Sequence, residues 1–512
     1  MGTVRDLLYQ AQFATSFGMQ KATEGKLDGC VAAAQSELRS SHVHRGLDGQ
    51  PAARPDAGRA GVPRSTGERV RWQCPSVSSY RRPGMTGPCP VHQGFDPLAL
   101  DYLADPYPTL AAVRDEAAAF YAPGIDMWVV TRYADIDAIF KDPATYSAAI
   151  TQAPVFPLAR RAQQILAQGF GATPTMSNCD PPKHTRIRAH NVKAFSARRI
   201  AVLEPKVRAK ARELVAAITP GRVDLVPAVT YPLPAYMIFT LIGFPDQDMD
   251  MLKGWCGNRM AFSWGRPGPD EQAEIAANMV RYWCYCEDFV ARRARDPRDD
   301  FTSDLVRVRL ADPDALSLEE ITNVAYGLSF AGHETTTNFT GNTLLRLLSD
   351  RAQWDELCAD PQTIPGAIEE ALRYDTSVIT WRRVTTRPSR IGQVEIPAGA
   401  KILLLLGSAG RDPGKFGEPE TFDIHRRDPR AHLAFGKGIH DCFGAPLARM
   451  EVRIVLELLA AQAPGLRLSA GHAPAFPANI SFRGPRQLWV DWPRGAPARP
   501  PDREASLPLS SG

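Results

Sequence analysis

The 512-residue sequence lacks the usual marks of several large protein classes. Its nine cysteines are scattered and include no C-x-x-C pair, so they do not suit a disulfide framework. The N-terminal stretch MGTVRDLLYQAQF has no long apolar core and therefore does not resemble a signal peptide. The net charge is only +4, which gives no support for nucleic-acid binding. These absences favour a globular protein of a reducing compartment, and we predict a cytoplasmic location.

Long uninterrupted apolar runs are also absent. Residues 225–244 have the length of a membrane span, but Pro227, Pro232 and Pro234 interrupt the run and aspartates flank it. We therefore predict a buried helix that is entered through a proline-rich turn, and no membrane partner. With 44% apolar residues, the chain is able to bury a large core.

Charge and composition divide the chain unevenly. Residues 1–84 hold 12 Lys/Arg and 7 Asp/Glu, a net charge of +5, which leaves −1 for residues 85–512. Because residues 1–84 and 496–512 show no sustained periodicity, we predict that both are disordered and flank one domain over residues 85–495. A second interpretation of the N-terminal part is that the functional protein begins at Met85.

The most informative stretch is FGKGIHDCFG, residues 435–444. Its single cysteine, Cys442, directly precedes a segment with helical periodicity, where amide N–H groups and the helix dipole favour a thiolate. The glycines allow positive φ and a close approach to a flat partner. A buried structural cysteine in a turn is the alternative. An anionic sulfur surrounded by donors is, however, what a thiolate ligand of heme iron requires.

The loop resembles the heme-binding loop of the cytochrome P450 monooxygenases, in the pattern F-x-x-G-x-H-x-C-x-G. The resemblance implies a heme b cofactor, with Cys442 as the iron ligand and with Phe435 and His440 against the heme. It also implies a mainly α fold with a smaller β region. The heme then lies between a long core helix and the cysteine loop.

Residues 321–350 predict that long core helix, because they are nearly uncharged in the middle. The threonines of AGHETT are able to bond back to carbonyls one turn earlier, and we expect a widened turn there with room for O₂. A-G-x-E-T-T resembles the acid–alcohol pair of the family. By that resemblance Glu334 and Thr335 relay protons to dioxygen, and Ala331 lies against the heme. For Glu334, an ion pair with a surface arginine is the alternative.

The stretch DPPKHTRIR (180–188) resembles the helix of the family that binds one heme propionate. His184 and Arg188 lie four residues apart and share one helix face, where Arg188 would supply a fork for the carboxylate. Asp180 is the expected cap of this helix.

In TWRRVTT (380–386), Arg383 matches the arginine that binds the second propionate, together with His440. Arg382 remains the rival for that role. The resemblance also places a few apolar side chains over the heme on the substrate side, with core packing as the alternative for each: Leu328, Ala331, Val378, Ile379 and Ile480.

Glu370, Arg373 and Arg426 resemble the buried ion triad of the family, in the patterns E-x-x-R and F-x-x-P-x-x-F-D-x-x-R. The role of this triad is structural. It holds the segment that positions the cysteine loop.

WRRVTT, IGQVEIPAGAK and SFRGPRQLWVDW resemble the bacterial subgroup that is often fused to a phthalate-dioxygenase-type reductase. No cysteine follows Cys442, so the plant-type iron–sulfur spacing is absent. We expect electrons from a separate ferredoxin and ferredoxin reductase fed by NAD(P)H. The expected docking patch is basic and consists of Arg186, Arg430, Lys437 and Arg449.

The predicted function is the insertion of one atom of O₂ into an apolar organic substrate by hydroxylation, dealkylation or heteroatom oxidation. A peroxygenase driven by H₂O₂ is one alternative. A non-catalytic protein that binds heme or a small molecule is another.

Overall fold

A computed structural model of the protein describes residues 90–256 and 259–493. The predictions of disorder for residues 1–84 and 496–512 lie outside the described residues. Within the described ranges, we find no helix with both the length and the apolarity that a membrane crossing requires.

α-Helices make up most of the described chain. They are α1 (Leu100–Ala104), α2 (Tyr107–Glu116), α3 (Tyr133–Lys141), α4 (Arg160–Ala167), α5 (Lys183–Ala194), α6 (Ala197–Ala216), α7 (Pro232–Ile242), α8 (Met249–Cys256), α9 (Arg259–Trp264), α10 (Pro269–Arg295), α11 (Phe301–Ala311), α12 (Leu318–Ser349), α13 (Arg351–Ala359), α14 (Ile364–Tyr374), α15 (Leu406–Gly410) and α16 (Ala445–Gln462). Short 3-10 turns and one π-turn connect some of them.

The strands are short and lie in three sheets. They are β1 (Ala119–Ala122), β2 (Met127–Val130), β3 (Tyr146–Ser147), β4 (Gly221–Asp224), β5 (Thr380–Thr385), β6 (Ser389–Ile391), β7 (Val394–Ile396), β8 (Lys401–Leu405), β9 (Arg467–Leu468) and β10 (Trp489–Trp492). The largest sheet has the order β1-β2-β8-β5-β3, and β2 and β8 are its parallel pair. The prediction of a mainly α fold with a smaller β region is confirmed.

Helix α12 runs through the core and packs against α7, α10 and α16. It begins with a capping box, in which the Ser317 hydroxyl accepts from the Glu320 backbone N–H and the Glu320 carboxylate accepts from the Ser317 N–H. Its bounds agree with the prediction of a helix over 321–350. The expected widened turn is wrong, since α-helical geometry continues through AGHETT.

The apolar run at 225–244 forms a π-turn, Val226–Thr230, followed by the buried helix α7, as predicted. α7 crosses α12 at Gly332, where an added Cβ would lie 2.6 Å from Cδ1 of Ile238. This glycine therefore permits close helix packing, which is the physical reason for a poor helix former in the middle of a long helix.

Strand β5 separates two core regions. Arg382 is paired with Leu403 and Arg383 with Ile402, and paired residues lie on the same face of a sheet. Leu403 packs in the cluster that contains Trp264, whereas Ile402 packs in the cluster that contains Phe140. Arg382 and Arg383 consequently lie on opposite faces of the sheet.

Candidate active site

The cysteine loop is closed by its own backbone. The N–H of Cys442 donates to the carbonyl of Phe435 over 2.9 Å. Gly436 and Gly438 have φ of 69° and 73°, which confirms the predicted positive φ. A Cβ at Gly438 would lie 2.4 Å from the carbonyl oxygen of Phe140, so this glycine lets the loop rest on the end of α3.

Cys442 is an exposed residue, although many protein atoms lie around its sulfur. Burial raises the pKa of this thiol, while the backbone N–H groups of Gly444 and Ala445 lower it. The amide groups therefore favour the thiolate, as predicted, but burial opposes them and has the larger effect. A bound metal would deprotonate the thiol.

A strip of α12 is also exposed, although most of this helix is buried. Gly327 and Ala331 lie one turn apart and are both exposed, and Thr335 on the next turn is half-buried. The sequence analysis did not include Gly327 among the residues of this strip. Its spacing of four residues from Ala331 was a sufficient signal, because such residues share one helix face. The predicted arrangement places the heme between this strip and Cys442.

Thr335 and Glu334 lie on this part of α12. The Thr335 Oγ1 donates to the carbonyl of Ala331 over 2.6 Å, as the prediction of back-bonding threonines requires. Burial raises the pKa of Glu334, and the side chain of Asn338 partly offsets this rise. The Nδ2 atom of Asn338 nevertheless has no hydrogen-bond partner within 3.5 Å. Among the described residues, no arginine contributes to the shift of the Glu334 pKa. The alternative prediction, an ion pair of Glu334 with a surface arginine, therefore has no support.

Two histidines meet beside the loop. The ring centroids of His184 and His440 are 4.2 Å apart. Both ring nitrogens of His184 and Nε2 of His440 are buried without a hydrogen-bond partner within the described ranges. Burial, with the nearby charge of Arg383, lowers the pKa of His440 to about 3, and burial also lowers the pKa of His184. A ring with a lowered pKa is neutral at pH 7 and carries one N–H. His184 has this N–H unused. One ring nitrogen of His440 already bonds to the backbone of Met176, so its Nε2 becomes a donor when the ring gains a proton, which a nearby carboxylate would favour.

Arg188 and Arg383 complete this donor group. Arg188 donates to the backbone carbonyl of Asp441 over 2.8 Å and pairs with the Asp441 carboxylate. The Arg383 guanidinium lies 5.3 Å from the ring centroid of Phe140, and burial lowers its pKa to about 10. The expected cap at Asp180 is wrong, because Pro182 holds the cap position of α5 and the Asp180 carboxylate accepts from the N–H of Ala148.

These residues fit a heme. The unpartnered ring nitrogens of His184 and His440, with the two arginines, match the carboxylates of two propionates. Cys442 offers one soft ligand for iron. Residues 90–256 and 259–493 contain no group of three or more His, Cys, Asp or Glu that is able to hold a metal. A single protein ligand suits an iron that brings its other ligands with it, as heme iron does.

The predicted ion triad is confirmed. Arg373 donates to both carboxylate oxygens of Glu370 over 2.7 Å, and Arg426 Nε reaches the same carboxylate at 3.0 Å. Arg373 also donates to the carbonyls of Gly410, Pro419 and Thr421. The triad thereby ties α14 to the long connection that leads to the cysteine loop.

Three other predicted placements are wrong. Ile379 and Ile480 are 4% and 0% exposed and belong to the packed core, so they have no surface to offer a substrate. Arg186 does not contribute to a basic patch near the cysteine loop. It pairs instead with Glu320 at the start of α12, over 2.7 Å.

The comparisons with known proteins agree with this site. The family model "Cytochrome P450" matches residues 285–460. "Cytochrome P450 monooxygenase PikC" of Streptomyces venezuelae is 35% identical over 411 residues, which cover 78% of this chain and 94% of PikC.

Two solved structures share the fold. An intact type IV self-sufficient cytochrome P450 monooxygenase has a TM-score of 0.77 at 36% identity. The alignment covers 79% of this chain and 54% of that protein, so this chain spans about half of its length. Cytochrome P450 CREJ in complex with (4-ethylphenyl) dihydrogen phosphate has a TM-score of 0.76 at 39% identity, covering 78% of this chain and 100% of CREJ. The chain belongs to the cytochrome P450 family of heme monooxygenases.

Proposed function

We propose that this chain uses heme b, with Cys442 as the axial ligand, to insert one atom of O₂ into an apolar organic substrate. The observation that carries the proposal is the pair of exposed surfaces within the fold, the Cys442 thiol and the strip of α12 at Ala331. The reaction consumes O₂, two electrons and two protons, and releases the second oxygen atom as water. Hydroxylation, dealkylation and heteroatom oxidation all satisfy this balance.

The donor group beside the loop would hold the propionates. We assign His184 and Arg188 to one propionate, and Arg383 and His440 to the other. Arg383 is preferred to Arg382 because it shares the sheet face of Phe140, on which the cysteine loop rests at Gly438. Arg188 has a second role, since its bonds to Asp441 hold the residue next to the ligand.

When bound, heme with an axial thiolate supplies the activation of O₂ and the oxygen transfer. The protein moves the protons. The only hydrogen of the Thr335 hydroxyl is donated to the Ala331 carbonyl, so its lone pairs are free to accept from a water in the cavity. Because its pKa is raised, the Glu334 carboxyl gives and takes a proton more readily near neutral pH than an ordinary glutamate.

We further propose that the electrons come from a ferredoxin and its NAD(P)H-dependent reductase. The support is the charge beside the cysteine loop. The side chains of Arg430 and Lys437 are 77% and 47% exposed, although each lies near a carboxylate, Glu369 at 3.6 Å and Asp137 at 3.9 Å respectively. Arg449 is less available, because it pairs with Glu369 over 2.6 Å. A basic face of this kind favours an acidic partner protein.

Optical spectra of the holoprotein test the axial ligand, and a pyridine adduct identifies the heme. We expect the carbon monoxide adduct of the reduced protein to absorb as a thiolate-ligated heme. Cys442→Ser should abolish this band. The absorption of a histidine-ligated adduct in the wild type would contradict the proposal.

Turnover assays separate monooxygenase from peroxygenase chemistry. We expect product with NAD(P)H, ferredoxin and reductase, and we expect it to contain one atom from ¹⁸O₂. Product formed only with H₂O₂ would favour the peroxygenase alternative.

A further inference from the structure

Arg382 is a buried cation without an acidic partner. Its side chain is 1% exposed, and its guanidinium lies 3.8 Å from the ring centroid of Trp264. Its Nη2 donates to the carbonyl of Thr151 over 2.8 Å, but its Nε has no acceptor. Within the described ranges, no carboxylate pairs with it. Burial alone lowers its pKa to about 9, and a buried charge normally requires a counter-charge.

The heme propionates do not supply that counter-charge. Arg383 lies on the sheet face directed to Phe140 and the cysteine loop, whereas Arg382 is paired with Leu403 on the opposite face. On its own face Arg382 meets α9 and the loop at residues 151–156.

A second arginine, Arg259, reaches the same loop from α9. Its Nη1 donates to the hydroxyl of Ser263 over 2.6 Å, and that hydroxyl donates to the carbonyl of Gln152 over 3.2 Å. Its Nε is also buried without an acceptor, and no described carboxylate pairs with it. Its guanidinium lies 5.8 Å from the ring centroid of Phe330, the residue on α12 that precedes Ala331.

The two arginines therefore converge. Arg382 bonds to the carbonyl of residue 151, and Arg259 is linked through Ser263 to the carbonyl of residue 152. Adjacent residues are about 3.8 Å apart, so both guanidiniums flank one short segment. Trp264 and Phe330 supply aromatic surface beside the two cations.

We propose that Arg259 and Arg382 form an anion-binding subsite that selects organic substrates with a carboxylate or a phosphate monoester at one end. The proposal rests on the proposed function for the oxidation at the other end of the substrate. Guanidinium forks match these two anions, and an anionic oxygen is a stronger acceptor than the neutral carbonyl that Arg382 now uses. Phe330 places the subsite next to the exposed strip of α12, so the apolar part of such a substrate would extend towards Ala331.

Binding to the ferric holoenzyme tests the proposal through matched ligands. One pair is 4-butylbenzoate and 4-butylbenzyl alcohol, and the other is 4-butylphenyl phosphate and 4-butylphenol. We expect the anion of at least one pair to bind roughly 10- to 100-fold more tightly than its neutral partner, as for a charge-assisted hydrogen bond. The pair with the larger ratio identifies the anion. Dissociation constants come from the shift of the heme spectrum and from calorimetry, which also detects ligands that leave the spectrum unchanged.

Variants locate the effect. Arg259→Gln and Arg382→Gln should each lower the anion-to-neutral ratio about tenfold or more, with little change for the neutral ligands. Arg382→Lys keeps the charge in the core and should retain part of the preference, which provides a test if Arg382→Gln does not fold. The control is Arg390→Gln, in the exposed β6–β7 hairpin, where Arg390 pairs with Glu395. This variant should keep the wild-type ratio.

Two results would overturn the subsite. One is equal affinity for anionic and neutral ligands in the wild type. The other is an anion-to-neutral affinity ratio that stays at the wild-type value in both single variants, Arg259→Gln and Arg382→Lys. Neither result would alter the carbon monoxide spectrum or the turnover of neutral substrates, so failure of the subsite is distinguishable from failure of the proposed function.

Discussion

Gly332 and Ile238 touch where α12 and α7 cross. A Cβ at position 332 would lie 2.6 Å from both Cδ1 and Cγ1 of Ile238. No such conflict exists at Gly254, an exposed residue of α8, where no atom lies within 4 Å of the added Cβ. Packing therefore limits position 332 but does not limit position 254.

The pair of glycines gives a stability prediction. Gly332→Ala should lower the free energy of unfolding by about 1–3 kcal/mol, because the new methyl group overpacks the crossing. Gly254→Ala should raise it by up to about 1 kcal/mol, since alanine is the better helix former. Urea unfolding of the two holoproteins measures both values. Changes of the same sign would contradict the packing explanation.

Removal of the Thr335 hydroxyl should uncouple electron use from product formation. Thr335→Ala should lower the product formed per NAD(P)H consumed by on the order of tenfold or more, because the hydroxyl oxygen that would hold the proton-carrying water is lost. Thr337→Ala is the matched control, since its hydroxyl also bonds back one turn, to His333, but is buried. Unchanged coupling in Thr335→Ala would exclude this residue from the proton relay.

Loss of the central carboxylate of the ion triad should destabilise the fold. Glu370→Gln leaves the buried Arg373 and the adjacent Arg426 without their anion, and we expect a loss of roughly 3–5 kcal/mol. Glu395→Gln removes an exposed partner of Arg390 and should change stability by only about 0–1 kcal/mol. Urea unfolding and heme retention after gel filtration compare the two. Equal effects would show that the triad is unimportant.

Glu369 should contribute an acid-dependent part of the stability. Burial alone would raise the pKa of its carboxyl, but hydrogen bonds from His432 and Arg449 lower it from 4.5 to about 2. A carboxyl whose pKa is lower in the folded than in the unfolded state stabilises the protein at pH values above its ordinary pKa. This contribution is lost as the pH falls from 4.5 towards 2.

The test compares wild type with Glu369→Gln between about pH 6 and pH 3. The wild type should be the more stable at pH 6, and the difference in free energy of unfolding should shrink as the pH falls. Glu356→Gln, whose carboxylate pairs with the exposed His425, is the control and should follow the wild type. A constant difference between wild type and Glu369→Gln would contradict the assignment.

Local patterns in the sequence were enough to identify the heme-thiolate loop, the long helix α12 and the ion triad. Each depends on a pattern along one segment: glycines around Cys442, a nearly uncharged middle in α12, and Glu370 one turn from Arg373. Helical and turn geometry encode such features within one segment of the chain. They can therefore be recognised without knowing which residues pack against that segment.

The partners of individual side chains were decided by the tertiary structure. Strand alternation separates Arg382 from Arg383, but only the packing of β5 between two core regions shows which of them faces the cysteine loop. The same holds for the ion pair of Arg186 with Glu320 and for the burial of Ile480. These contacts join segments that are far apart in sequence, and their energies depend on burial and on neighbouring charges that no single segment specifies.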